Sequence, residues 1–273
     1  MLAHSTCDRS LRPLVIAHRG ASGLYPENTL PALIAATRER ADLIEIDVRL
    51  TKDRHIVLLH DPTVERTTNG TGRVRAMTLG QIKGLDAGFR FTRDNGRSYP
   101  FAGQGVQIPL LAEVLTELPN VSFQIELKEN DFALAESVLN AVNTLNALHR
   151  IQLATASTRI AQFVRFLEPQ ACIAHTAIDL LKFVLCTAVC RPYEPCFHAG
   201  FIDLPLCLFR SPRLVSRAIK LASLHNLRVR AYTVNDLDKI KQLVHLGIEG
   251  IFTDYPGQAR QLLDGVFHDT KRT

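Results

Sequence analysis

Leu14–Val48 reads LVIAHRGASGLYPENTLPALIAATRERADLIEIDV. A short apolar run, LVIAH, ends at His18. Thr29–Arg40 then has helical spacing, with Leu30, Leu33, Ile34 and Thr37 on one side. Leu43–Val48 is a second apolar run. Strand, helix and strand in succession form a βαβ unit, and its crossover makes the two strands parallel. The alternation continues to the end of the chain. Strand-like runs fall at Ser122–Leu127, Ile151–Thr155, Cys172–Ala177, Phe197–Ile202, Arg228–Thr233 and Gly250–Asp254. Helical patterns fill the gaps at Phe132–Leu145, Ser157–Leu167, Asp179–Val189, Pro212–His225, Asp236–Leu246 and Pro256–Leu263. Eight strands with helices between them predict an α/β fold closed as a (β/α)₈ TIM barrel. At 273 residues the chain has the length of one such domain.

Two stretches break the alternation. Ile56–His60 follows the second strand after only the polar turn Thr51–Arg54, too close for a helical crossover. It is read as the return of a hairpin. Pro62–Gly105 is rich in Gly, Arg, Thr and Asn and poor in apolar periodicity, an inserted excursion after the second strand with Leu79–Leu85 as its regular part. The expected domain is therefore one barrel over 12–265, including the insertion at 62–105, with tails at 1–11 and 266–273.

Hydrophobic residues make up 46% of the chain, enough for a large core, and no apolar run approaches the length of a spanning helix. Met1–Arg12 is polar and does not read as a secretory signal, so the expected location is cytoplasmic. Six scattered cysteines suit a reducing compartment. The formal net charge is +5 and the pI near 9.0. No Lys/Arg-rich run or aromatic interleaving is present, which argues against nucleic acid as a partner. The charge is read as a dispersed, solvated surface.

In a β/α barrel, chemistry sits at the C-terminal strand ends. The first strand ends at His18-Arg19, the second carries Glu45 and Asp47, Glu126-Leu127-Lys128 closes the run from Ser122, and the hairpin return ends at His60-Asp61. Glu45 and Asp47 are two apart and share a face. A single buried carboxylate pairs most often with Arg or Lys, and Arg19 and Lys128 are available. Three carboxylates converging among apolar residues point instead to one divalent cation. Oxygen donors select a hard ion, Mg²⁺ or Ca²⁺, with Mn²⁺ a third choice. His18 and His60 can supply an acid and a base at neutral pH. Arg19 and Lys128 suit phosphate oxygens. His175 and His198 lie on or beside later strands and are secondary candidates.

His18-Arg19-Gly20, Pro26-Glu27-Asn28-Thr29, Glu45-Ile46-Asp47-Val48, His60-Asp61, Arg66-Thr67-Thr68-Asn69-Gly70 and Leu85-Asp86-Ala87-Gly88 stand in this order. Ile108-Pro109, Ile125-Glu126-Leu127-Lys128, Thr233-Val234-Asn235 and Gly250–Pro256 follow. The set, spanning roughly 15–263, resembles the glycerophosphodiester phosphodiesterases, a family with the TIM barrel of phospholipase-C-like phosphodiesterases. The resemblance implies hydrolysis of a small-molecule glycerophosphodiester to sn-glycerol 3-phosphate and an alcohol. It implies Glu45, Asp47 and Glu126 as metal ligands, His18 and His60 as the acid/base pair, and Arg19 and Lys128 on phosphate. Glu27 and Asn28 would lie at the mouth, where Glu27 either touches metal or glycerol hydroxyls or orders its loop.

Tyr232 stands where such proteins usually have Trp and keeps a ring in the pocket wall. Thr155-Ala156-Ser157 lacks the usual aromatic. Leu180–Cys196 is unusually apolar; Cys186, Cys190 and Cys196 are read as buried packing rather than a soft-metal site. Phe183, Val184 and Leu185, with Lys182 and Arg191, form a candidate membrane contact, the weaker of two readings of that helix. The rival functions are a lysophospholipase D-like activity with the same catalytic set, and a non-catalytic barrel that binds phosphate esters. Oligomeric state and head group are left open.

Overall fold

The computed structural model describes residues 12–194, 200–208 and 212–269. The N-terminal tail, His198 and Cys196 lie outside the described residues.

Strand β1 (Leu14–His18) is apolar on both faces because both are covered. Val15 and Ala17 pack outward, and Ile16 and Leu14 join Leu43, Phe252 and Tyr232 inside the barrel. Helix α1 (Leu30–Arg38) starts behind an extended Thr29, with Pro31 in its first turn, where a missing N–H costs nothing. β2 (Leu43–Leu50) is buried throughout. It pairs with β1 in parallel and with β3 (Ile56–Leu58) in antiparallel fashion, Val48 opposite Leu58, so the return strand is the hairpin partner.

Residues 62–105 carry helix α2 (Leu79–Lys83), capped reciprocally by Thr78 and Gln81. Val64, Val74, Ile82 and Ala87 build a satellite core against Val57, Leu59, Val106 and Ile108. Helix α3 (Leu111–Glu117) then returns the chain to the barrel. Only seven residues long and directly behind Pro109, it escapes a periodicity search.

The remaining elements are β4 (Phe123–Leu127), α4 (Phe132–Thr144), β5 (Ile151–Ala154), α5 (Thr158–Leu167), β6 (Cys172–Ile173), α6 (Ala177–Val189), β7 (Phe201–Pro205), α7 (Pro212–Ser223), β8 (Arg228–Tyr232), α8 (Leu237–His245), β9 (Gly250–Thr253) and α9 (Pro256–Asp269). Eight parallel strands run in the order β6-β5-β4-β2-β1-β9-β8-β7, with β3 beside β2. The fold is a (β/α)₈ barrel. Between its terminal strands, His175 Nδ1 meets the Phe201 carbonyl at 2.9 Å, and Ala154, Ala174 and Phe201 pack together.

Three boundaries differ from expectation. β6 ends at Ile173 rather than Ala177, because Thr176 and Asp179 form a capping box that starts α6. β7 extends to Pro205, beyond the expected Ile202, with Phe201 and Asp203 turned inward; residues 197–199 of the expected run lie outside the described residues. α9 continues to Asp269, past the expected domain end at 265. Cys190, expected to be buried, is exposed at the left-handed C-cap of α6. Phe183, read as part of a membrane contact, is buried instead.

One layer below the mouth, Arg230 lies in the barrel interior, 1% exposed. It donates to Asp203 at 2.6 and 2.8 Å, to Gln124 at 2.6 Å and to Gln152 at 2.8 Å, and its guanidinium sits 3.4 Å over the Phe201 ring. A cation this deep persists because every direction offers an acceptor or a ring face.

Candidate active site

Strand register assembles the site. His18 on β1 stands beside Glu45 on β2, and Asp47 beside Glu126 on β4. Carboxylate oxygens of Glu45, Asp47 and Glu126 lie within 4.8 Å of one another.

The three differ in their partners. Asp47 has Arg19 Nε at 3.2 Å and Lys128 Nζ at 3.3 Å, and its Oδ2 accepts from Asn28 Nδ2 at 2.8 Å. Burial opposes its ionisation, yet Lys128, Arg19, His60 and Asn28 outweigh that and hold it below the ordinary carboxylate value. Glu126 has Lys128 at 2.9 Å. Glu45 accepts the Arg19 backbone N–H at 3.0 Å. Burial, then Asp47 and Glu126, push its carboxyl well above the ordinary value. So Arg19 and Lys128 do pair with the cluster, but two cations face three carboxylates: the Glu45 carboxyl stays raised, and Asp47 Oδ1 has only the Lys128 ion pair, with no hydrogen bond. A hard cation resolves both defects, and the all-oxygen donor set fits one.

His18 Nδ1 lies 2.8 Å from Asp254 Oδ1. Ser22 Oγ donates to the same oxygen at 2.9 Å, and Asn235 Nδ2 to Asp254 Oδ2 at 2.6 Å. Burial works against Asp254, but hydrogen bonds from His18, Asn235 and Ser22 keep its carboxyl below the ordinary value. His60 Nδ1 lies 2.6 Å from Asp61 Oδ1, and its carbonyl accepts from Arg49 at 2.6 and 3.1 Å. With Nδ1 engaged by a carboxylate, each ring presents Nε2 on its other side.

Glu27 takes two donors from Arg66, at 2.7 and 2.8 Å, and one from Arg19 at 2.9 Å. Arg66 Nε also contacts Asp61. Both ends of the Asn28 side-chain amide serve Asp47: Nδ2 donates to its carboxylate, and Oδ1 accepts its backbone N–H at 3.1 Å. Tyr232 packs edge-on to Phe252, and burial raises its phenol to about 12. His175 is largely buried, which lowers its imidazole below the ordinary value, and it stands at the β6–β7 seam rather than with the carboxylates. A cleft beside the site is lined by Ser22, Glu27, Arg66, Ala87, Arg90 and Phe91. One wall therefore comes from residues 62–105. That segment has seven Lys/Arg against three Asp/Glu, a net of +4 within the chain's +5. Of these cations Arg66 and Arg90 line the cleft, where they favour an anionic substrate, whereas Arg75 and Lys83 pair with Asp131 and Glu113.

Sequence reasoning assigns no role to Asp254, Asn235, Ser22, Arg66 or Arg49. Asp61 and Asp254 stand within the motifs, so a search for a carboxylate partner to each histidine could have found them.

The sequence model described as "Glycerophosphoryl diester phosphodiesterase family" matches residues 18–258. The chain belongs to that family. It is 34% identical over 252 residues to the glycerophosphodiester phosphodiesterase of Caldanaerobacter subterraneus, covering 90% of this chain and 96% of that one. Among solved structures, the glycerophosphodiester phosphodiesterase of Agrobacterium tumefaciens superposes with a TM-score of 0.72 at 28% identity, covering 90% and 97% of the two chains. A phosphodiesterase of Oleispira antarctica, solved with its product sn-glycerol-3-phosphate, gives 0.72 at 26% identity, covering 93% and 97%. As a family member, this barrel is a phosphoric diester hydrolase.

Proposed function

We propose that the chain hydrolyses glycerophosphodiesters to sn-glycerol 3-phosphate and an alcohol, with one divalent cation and two histidines. One observation carries the reading: two histidines, each braced by its own carboxylate, flank a carboxylate cluster that lacks sufficient positive charge. Glu45, Asp47 and Glu126 would hold the cation, Mg²⁺, Ca²⁺ or Mn²⁺. When bound it supplies Lewis-acid stabilisation of charge on the phosphoryl group.

The protein's own groups do the rest. Arg19 and Lys128 hold phosphate oxygens and offset developing charge. One of His18 and His60 takes a proton at Nε2 from the nucleophile, and the other delivers one to the leaving alkoxide. Asp254 and Asp61 fix the tautomers. Asn28 orients Asp47, Glu27 orders the mouth through Arg66 and Arg19, and the Tyr232 ring walls the pocket. The described cysteines are unpaired, which suits the cytoplasm.

A lysophospholipase D-like activity with the same residues is the second reading, favoured by the exposed apolar face of α6. The test compares His18→Ala and His60→Ala with the wild type on glycerophosphocholine and on a lyso-lipid. Each variant should lose at least about a hundredfold in kcat while cation affinity by calorimetry persists. Near-normal turnover in either contradicts the two-histidine scheme. Choline release from the lyso-lipid alone moves the assignment to the second reading.

A further inference from the structure

An outer barrel helix normally shows solvent a polar face. Helix α6 does not. Ile178, Leu181, Leu185 and Val189 are 53%, 60%, 55% and 62% exposed. Their spacing puts them on one stripe, opposite Asp179, Phe183 and Thr187, which the helix buries. Lys182 is the one charge on the exposed side, and the helix's single carboxylate, Asp179, is buried at its N-terminal cap. Other outer helices mix polar groups with exposed apolar ones: α4 exposes Glu136 and Asn140 with Phe132, α5 Arg159 and Gln162 with Phe166, and α8 Asp238 and Lys241 with Leu237.

The neighbouring helix α7 supplies the complement. It packs on α6 within one core and exposes Arg213, Arg217 and Lys220. Its sequence, PRLVSRAIKLAS, has no carboxylate. Leu224, just past its end, is 72% exposed, and Arg191 is exposed just past α6. The combined face is an apolar stripe bordered by cations, with no exposed carboxylate on either helix; Glu194, three residues past Arg191, is the exposed carboxylate that follows α6.

We propose that the α6–α7 face docks on an anionic lipid bilayer. Apolar side chains of an interfacial helix enter the headgroup boundary while flanking Lys and Arg meet lipid phosphates. Charge decides against a second copy as occupant. A two-fold contact would set this face against itself and bring like charges together. α6 follows β6 at the C-terminal strand ends, so its stripe begins beside the barrel mouth. Docking would hold the mouth near phosphodiesters derived from lipid.

The test is co-sedimentation of the full chain with phosphatidylcholine vesicles, with and without about a third phosphatidylglycerol. Binding is expected only to the anionic vesicles, weakened by about 0.5 M salt. Leu181→Glu with Leu185→Glu should lower partitioning at least about tenfold, and Arg213→Glu with Arg217→Glu should do likewise. All four positions are exposed and outside the catalytic machinery, so turnover of soluble glycerophosphocholine should be unchanged. That separates failure of docking from failure of the proposed hydrolysis. No binding to anionic vesicles, binding unaffected by either double variant, or a wild-type dimer that the leucine variant dissolves would each overturn the proposal.

Discussion

Asp254 is 236 residues from His18 in the chain, yet their Oδ1 and Nδ1 lie 2.8 Å apart. The contact exists because β9 pairs with β1 and the loop after β9 folds over it. A motif reading finds His18 at the end of an apolar run and Asp254 in a separate motif, but it is the pairing of β9 with β1 that joins them. Asp254→Asn should lower kcat by about 10²- to 10⁴-fold with little change in KM, as expected when a histidine loses its tautomer partner. Because the folded carboxyl is held below its ordinary value, its contribution to stability is present above that value and lost as pH falls toward the lowered one. Urea denaturation on the acid side should show a shallower loss in the variant. Glu45 behaves in the opposite sense. Its carboxyl is raised, so metal-free protein should lose stability as pH climbs from the ordinary carboxylate value through the raised one. Glu45→Gln should remove that loss and also abolish the thermal stabilisation produced by added divalent cation.

At the scale of elements, the β1–α1 loop sets the geometry of Arg19. Arg19 and Gly20 both take positive φ, 57° and 86°, and the turn aims the Arg19 N–H at Glu45. A Cβ on Gly20 would come within 2.7 Å of the Ala32 backbone. Gly20→Ala should cost roughly 2 kcal/mol or more in chemical denaturation and lower activity beyond that loss. Much at this scale was legible. The β1–α1–β2 unit and the β2–β3 hairpin follow from apolar runs and the length between them. What escaped was short or capped by polar residues: α3 has only seven residues, and Thr176 and Asp179 turned an apparent strand into a helix start. The carboxylates were legible because strand periodicity sets Glu45 and Asp47 on one face. Arg66 was not, since its link from Asp61 to Glu27 depends on how residues 62–105 fold back.

For the whole molecule, a buried cation ties strands together across the barrel interior. Arg230 joins β8 to β7, β4 and β5 through Asp203, Gln124 and Gln152. Arg230→Met should cost about 3–5 kcal/mol, because the Asp203 charge would remain inside with no cation, met only by the Gln124 amide at 3.1 Å. Arg230→Met combined with Asp203→Leu should lose less than the single variant; a larger loss would mean that the ion pair itself, not the orphaned charge, stabilises the barrel. Above this layer lies the site on which the functional account turns. The most direct measurement is glycerol 3-phosphate release from glycerophosphocholine by metal-stripped protein, before and after adding Mg²⁺, Ca²⁺ or Mn²⁺. Cation-dependent hydrolysis requires negligible release without cation and restoration by at least one of the three. Full turnover in the stripped protein, or none with any cation, would contradict it.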